Sequence, residues 1–186
     1  MCTSKNLLIV LAISAGALGA GPAAKTPDAC KLLSNSVIEK VQGEPVTQAK
    51  PSSGKRGSVM ISECLYSLPT SSNSISISLT LPDPGGSKVG PRDVWKHSFH
   101  EAESAEDDED KEKSVFPGEK EKEKETPPRA VSGLGEEAFW VQSFVGTLYV
   151  LKGNAFVRIS IGGKQDDATR LKKARVLAEA ALAKMP

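Results

Sequence analysis

Apolar and small polar residues alternate most cleanly along Ile75-Ser76-Ile77-Ser78-Leu79-Thr80-Leu81. A period of two predicts a strand that turns Ile75, Ile77, Leu79 and Leu81 to a core and Ser76, Ser78 and Thr80 to water. Val59 to Leu68 reads as the strand before it, with Pro69 to Asn73 as the turn of a hairpin. Three more strand-like runs follow later, Ala138 to Phe144, Thr147 to Leu151 and Ala155 to Ile161, joined at Gly146 and at Gly153-Asn154. Connections that short dictate adjacent antiparallel strands, a three-stranded meander.

Helical spacing marks three other stretches. Thr26-Pro27-Asp28 combines a hydroxyl cap, a proline for the first turn and an acid, and Leu32, Leu33, Val37, Ile38 and Val41 follow before Gly43 stops the run. Ser34 is a second capping position, so this stretch forms one helix or two short ones. Pro91 to Ala102 places Val94, Trp95, Ser98, Phe99 and Ala102 on one face and His97 and His100 on the other. Asp166 or Asp167 caps a last helix reaching Met185, apolar along Leu171, Ala174, Leu177, Ala178, Ala181 and Leu182. Gln48 to Gly57, rich in Ser, Gly, Lys and Pro, reads as a loop. The order implies an α+β domain whose antiparallel sheet has about five strands, with helices packed on one face.

Two segments break the pattern. Lys5 precedes an uncharged run from Leu7 to Leu18 that dissolves into Gly and Ala, the layout of a secretory signal peptide, and too short to span a bilayer. Residues 1–24 are read as the signal and 25–186 as one exported domain, with cleavage after Ala17, Ala20, Ala23 or Ala24 equally open. Cys30 lies well past the apolar run, behind Pro27-Asp28-Ala29, which is not a lipobox. The expected location is therefore periplasmic or secreted, with no membrane anchor after cleavage. Residues 103–128 form a charged insert: Glu101 to Glu125 holds twelve acids against five lysines, net −7, relieved only by Val115 and Phe116. So little apolar surface cannot offset the entropy of ordering, which predicts disorder.

The full chain has 24 Lys and Arg against 23 Asp and Glu. Losing Lys5 with the signal leaves 23 against 23, so no overall field points to nucleic acid or a membrane surface. Aromatic residues are 5% of the chain, which makes the core mainly aliphatic. Cys2 departs with the signal, leaving Cys30 and Cys64 in an oxidising compartment, where a disulfide is the natural reading.

Chemistry-bearing clusters are few. His97, His100 and Glu101 share a predicted helix face beside the acidic run and are the candidate metal ligands, although a specific site needs a further fixed ligand and supporting hydrogen bonds. Those imidazoles are also the only ones available for hydrolysis, no Gly-x-Ser-x-Gly is present, and Glu63 is the one acid on a predicted core strand. Gly133-Leu134-Gly135-Glu136-Glu137-Ala138 matches the letters of a dinucleotide fingerprint, but a strand follows where a helix is required and two glutamates would repel phosphate, so it reads as a turn. Arg170, Lys172, Lys173 and Arg175 give the last helix a basic face, a possible interaction surface without the interleaved aromatics of nucleic-acid binding.

Asp28-Ala29-Cys30-Lys31-Leu32-Leu33-Ser34, Val37 to Gly43, Cys64-Leu65-Tyr66, the Gly133 to Phe139 turn and Leu148 to Gly153, taken in order, resemble small exported bacterial domains of unknown function, many of them lipoproteins. The resemblance implies an extracytoplasmic α+β domain with a helix-to-strand disulfide and no catalytic residues to carry over. The expected function is non-enzymatic and free of cofactors: binding of an envelope or secreted protein, peptide or cell-wall component through the sheet or a helix-sheet groove. The alternatives are metal binding or buffering through His97, His100 and the acidic run, and an envelope hydrolase.

Overall fold

A computed structural model describes residues 26–101 and 127–186. The stretch read as a signal, residues 1–24, and nearly all of the charged insert therefore lie outside the described residues, as does Ala102. One antiparallel sheet of seven strands runs through the molecule in the spatial order β1-β2-β3-β7-β6-β5-β4. Its strands are β1 (Gln48–Arg56), β2 (Val59–Ser67), β3 (Ile75–Pro82), β4 (Arg129–Ala130), β5 (Glu137–Val141), β6 (Gly146–Lys152) and β7 (Ala155–Ile161). The helices are α1 (Asn35–Gln42), α2 (Pro91–Phe99) and α3 (Asp167–Leu182).

The α+β class, the β2–β3 hairpin and the β5–β6–β7 meander agree with the sequence pattern, while the strand number is a correction, seven in place of about five. Both additions are edge strands. β1 is the expected loop: all nine of its residues are exposed, so it has no buried face to impose alternation, and it is held by backbone pairing to β2 through a tight turn at Gly57, where φ is 56°. β4 contributes only Arg129 and Ala130 beside β5.

The placement of the helices is a second correction. Leu148, Val150, Val157 and Ile159 point from β6 and β7 into the main core together with Ala174, Leu177, Ala178 and Ala181 of α3 and Ile38 of α1. The residues between them, Tyr149, Leu151 and Phe156, pack with Trp95 of α2. Successive strand residues point to opposite faces, so α2 covers the side that α1 and α3 leave open. Thr80, expected to face water, is buried on the α2 side beside its register partner Phe156.

The N-terminal stretch resolves into two pieces. Asp28 accepts a hydrogen bond from the Cys30 amide and caps a 3₁₀ turn at Ala29–Lys31; α1 then starts after Ser34 and ends at Gly43, whose φ of 79° is the left-handed value that glycine tolerates. Cys30 is disulfide-bonded to Cys64 of β2, with Cα atoms 5.0 Å apart, as the cysteine count implied. Two hydrogen bonds reinforce that staple: the Ala29 amide donates to Ser62 Oγ at 3.0 Å, and the Tyr66 hydroxyl lies 2.9 Å from the Cys30 carbonyl oxygen.

Candidate binding surface

α3 uses small residues to reach the sheet: Ala174, Ala178 and Ala181 are fully buried, with Leu177 filling the space between them. α1 packs beside it on the same sheet face through Ile38. The two helices run antiparallel, because Lys173 Nζ donates to Gln42 Oε1 at the end of α1 (3.0 Å) while Lys184 Nζ reaches the Lys31 carbonyl oxygen ahead of its start (3.3 Å). A groove of about 480 Å³ lies open between them. Val37 and Val41 of α1 and Val176 and Ala180 of α3 form its apolar wall, and Val176 is left 45% exposed. Lys40, Lys172 and Lys173, with Thr169, supply the polar part, and no carboxylate belongs to the lining.

The basic residues expected to share one face of the last helix are divided by the fold. Arg170 is buried, in contrast to its expected wet position: its guanidinium donates to the carbonyl oxygens of Ser143 and Phe144 and pairs with Asp167. Arg175 donates to the Ser132 carbonyl oxygen at 3.0 Å and braces the loop before β5. Lys172 and Lys173 alone face the groove, where Lys40 joins them. Sequence reading missed Lys40, although Val37, Lys40 and Val41 at i, i+3 and i+4 share one side of α1.

On the opposite sheet face, α2 buries Trp95 among Phe99, Phe139 and Phe156, with ring centroids 4.6–5.8 Å apart. The Trp95 indole N–H donates to Glu137 Oε2 at 2.8 Å, and His100 Nε2 lies 2.8 Å from the same oxygen. Those contacts, the indole first, hold the Glu137 carboxyl below the usual carboxylate range. His97 turns instead to Glu101, with Nδ1 3.2 Å from Oε2. The two imidazoles thus engage different carboxylates, and His100 stays exposed, as expected for the wet face, with its ring edge-on to Phe139. Among the described residues, no group of three or more His, Cys, Asp or Glu is arranged to hold a metal ion. Glu63 is half-buried on β2, 3.7 Å from Arg56.

The glycine-rich run is the turn its context indicated. Gly133 and Gly135 both have positive φ, Leu134 is buried, and the Glu136 amide donates to the Leu151 carbonyl oxygen. Glu136 accepts from the Gly153 amide and pairs with Arg92, tying the turn to the β6–β7 connection and to α2. Among the described residues no helix is long and apolar enough to cross a membrane. No protein-family model, curated protein or solved structure matches the chain, so its function has to be argued from the groove and the stapled helix that borders it.

Proposed function

We propose that the chain is a non-enzymatic binding domain of the extracytoplasmic space, one that takes its ligand in the groove between α1 and α3. The carrying observation is an open apolar wall, Val37, Val41, Val176 and Ala180, lining a groove between two helices, whereas most other large apolar side chains among the described residues are buried, Phe144 in an exposed turn being an exception. Small-molecule and peptide sites are concave, mainly apolar and a few hundred Å³ in volume, and this groove falls within that range. The Cys30–Cys64 disulfide supports an oxidising compartment, consistent with the signal sequence read in residues 1–24. It also anchors the segment leading into α1, so one wall of the groove is fixed before a ligand arrives, which lowers the ordering cost of binding.

Fluorescence titration with the neutral apolar dye N-phenyl-1-naphthylamine tests the assignment. The mature protein should bind the dye saturably, and Val176→Glu, which sets a charge on the apolar wall at an exposed position, should abolish that binding. Dye binding unchanged in Val176→Glu would move the ligand site away from the groove. Stoichiometric, submicromolar zinc, copper or nickel binding lost in His97→Ala/His100→Ala would replace the proposal with the metal-binding one.

A further inference from the structure

The groove is polarised along its length. Because α1 and α3 are antiparallel, the end of α1 meets the first half of α3, where Thr169, Lys172 and Lys173 stand near Lys40. Towards the other end, the α3 wall continues as Val176 and Ala180, and Val37 faces it from the first turn of α1. From Lys173 to Ala180 the helix rises about 10 Å, so the far end of the apolar wall lies about two turns beyond the last lysine of α3. On α3 both lining lysines precede both apolar residues of the wall, and on α1 Lys40 stands between Val37 and Val41.

From this geometry we infer that the groove binds an anionic amphiphile with a single acyl chain, its carboxylate or phosphate head among Lys40, Lys172 and Lys173 and its tail along Val37, Val176 and Ala180. The inference rests on the groove being the ligand site and adds the chemistry of the occupant. Charge complementarity selects an anion, because the lining carries three ammonium groups and no carboxylate. The wall selects an acyl chain over an extended peptide. An extended peptide brings N–H and C=O groups every few ångströms, and the apolar end has no side chain able to hydrogen-bond them, whereas desolvating such groups unpaired is costly. An acyl chain brings none. A peptide helix satisfies its own backbone, but at 10–12 Å in diameter it would lie largely outside a groove of about 480 Å³.

Competition against bound N-phenyl-1-naphthylamine separates the possibilities. Decanoate and decyl phosphate should displace the dye, and decanol should do so about tenfold more weakly. Lys40→Gln/Lys172→Gln/Lys173→Gln should weaken decanoate by about tenfold while leaving the neutral dye bound, which also shows that the variant is folded. Lengthening the chain from octanoate to decanoate should tighten binding by about two- to four-fold per methylene. Equal competition by decanol and decanoate, or decanoate binding unaffected in the triple variant, would overturn the anionic head. Displacement by a synthetic acidic peptide, Glu103 to Asp110 of this chain, but not by decanoate would assign the groove to a peptide. Loss of the dye site itself would instead defeat the underlying groove assignment, a result distinguishable from either.

Discussion

Replacing Tyr66 by Phe probes how the disulfide-bearing segment is fixed to the sheet. The tyrosine is 1% exposed, and its hydroxyl lies 2.9 Å from the Cys30 carbonyl oxygen and 3.2 Å from that of Leu33. At neutral pH, Tyr66→Phe removes the donor and leaves those carbonyls short of a partner, a loss of about 1.5 kcal/mol. Burial, reinforced by the negative charge of Asp28, pushes the phenol from 10.0 up to about 12. A native-state pKa raised in this way means that the hydroxyl's stabilisation is complete below pH 10 and is lost as pH rises through the folded value. The full loss is about 2.7 kcal/mol, of which about 1.4 kcal/mol is gone by about pH 11. The stability gap between wild type and Tyr66→Phe should therefore close near pH 11, with the variant the more stable above it. Guanidinium unfolding of both proteins in parallel from about pH 8 to pH 11.5 measures the gap, and titration of the lysines, common to both, cancels in the difference. A gap constant across that range would refute the buried, hydrogen-bonded phenol on which the reasoning depends.

Replacing both Cys30 and Cys64 by Ala releases a constraint spanning 34 residues and should lower unfolding stability by about 3–4 kcal/mol in denaturant titrations, as loop-closure entropy requires. A Cβ on Gly135 would sit 2.3 Å from the Leu151 carbonyl oxygen at a φ of +55°, so Gly135→Ala should cost about 3 kcal/mol. Gly153→Ala, at a similar φ of +59° but with nothing within 4 Å, isolates the backbone contribution at about 1 kcal/mol, and thermal melts of the pair give the difference. The carboxyls of Glu44 (Thr70 amide, then Asn73), Glu136 (Gly153 amide, then Arg92), Glu137 (Trp95, then His100) and Asp166 (Thr169 amide) are all held below their ordinary values. Depressed native pKa values give stability that is present above the unfolded value and lost as pH falls through the folded one, so urea midpoints should decline below pH 4.5 and decline less in Glu44→Gln.

How far the fold was legible follows from which elements have a buried face. β3 reads directly because Ile75, Ile77 and Leu79 are fully buried and two of the polar residues between them stay partly wet. The meander reads for a different reason: β6 and β7 are covered on both sides, so their near-continuous apolar runs mark them as strands while concealing which face each residue serves. That concealment hid the position of α2. Trp95 and Phe99 announced an amphipathic helix, but nothing local says that its partners are Tyr149, Leu151 and Phe156 in place of their neighbours along the same strands. β1 was illegible because an edge strand exposed at every residue is held by backbone hydrogen bonds, which leave no trace in side-chain periodicity.

The groove illustrates the same limit at the level of the site. Lys172 and Lys173 were visible as part of a basic helix, yet two of the four residues on that helix serve the architecture, Arg170 by holding the β5–β6 turn and Arg175 by holding the loop before β5. Charge alone does not separate a bracing arginine from a lysine that faces a ligand. The separation comes from α1, whose Lys40 lies more than 130 residues away in the chain and reaches the same groove because Ile38 packs α1 beside α3 while the Cys30–Cys64 disulfide and Tyr66 fix the segment ahead of α1 against β2. Ligand affinity and the staple are therefore coupled. Reducing the disulfide frees one wall of the groove while leaving α3 packed by its buried alanines, so dye affinity should fall under reducing conditions that leave the sheet folded. If dye affinity were instead unchanged in the reduced, folded protein, the groove would have no dependence on the disulfide.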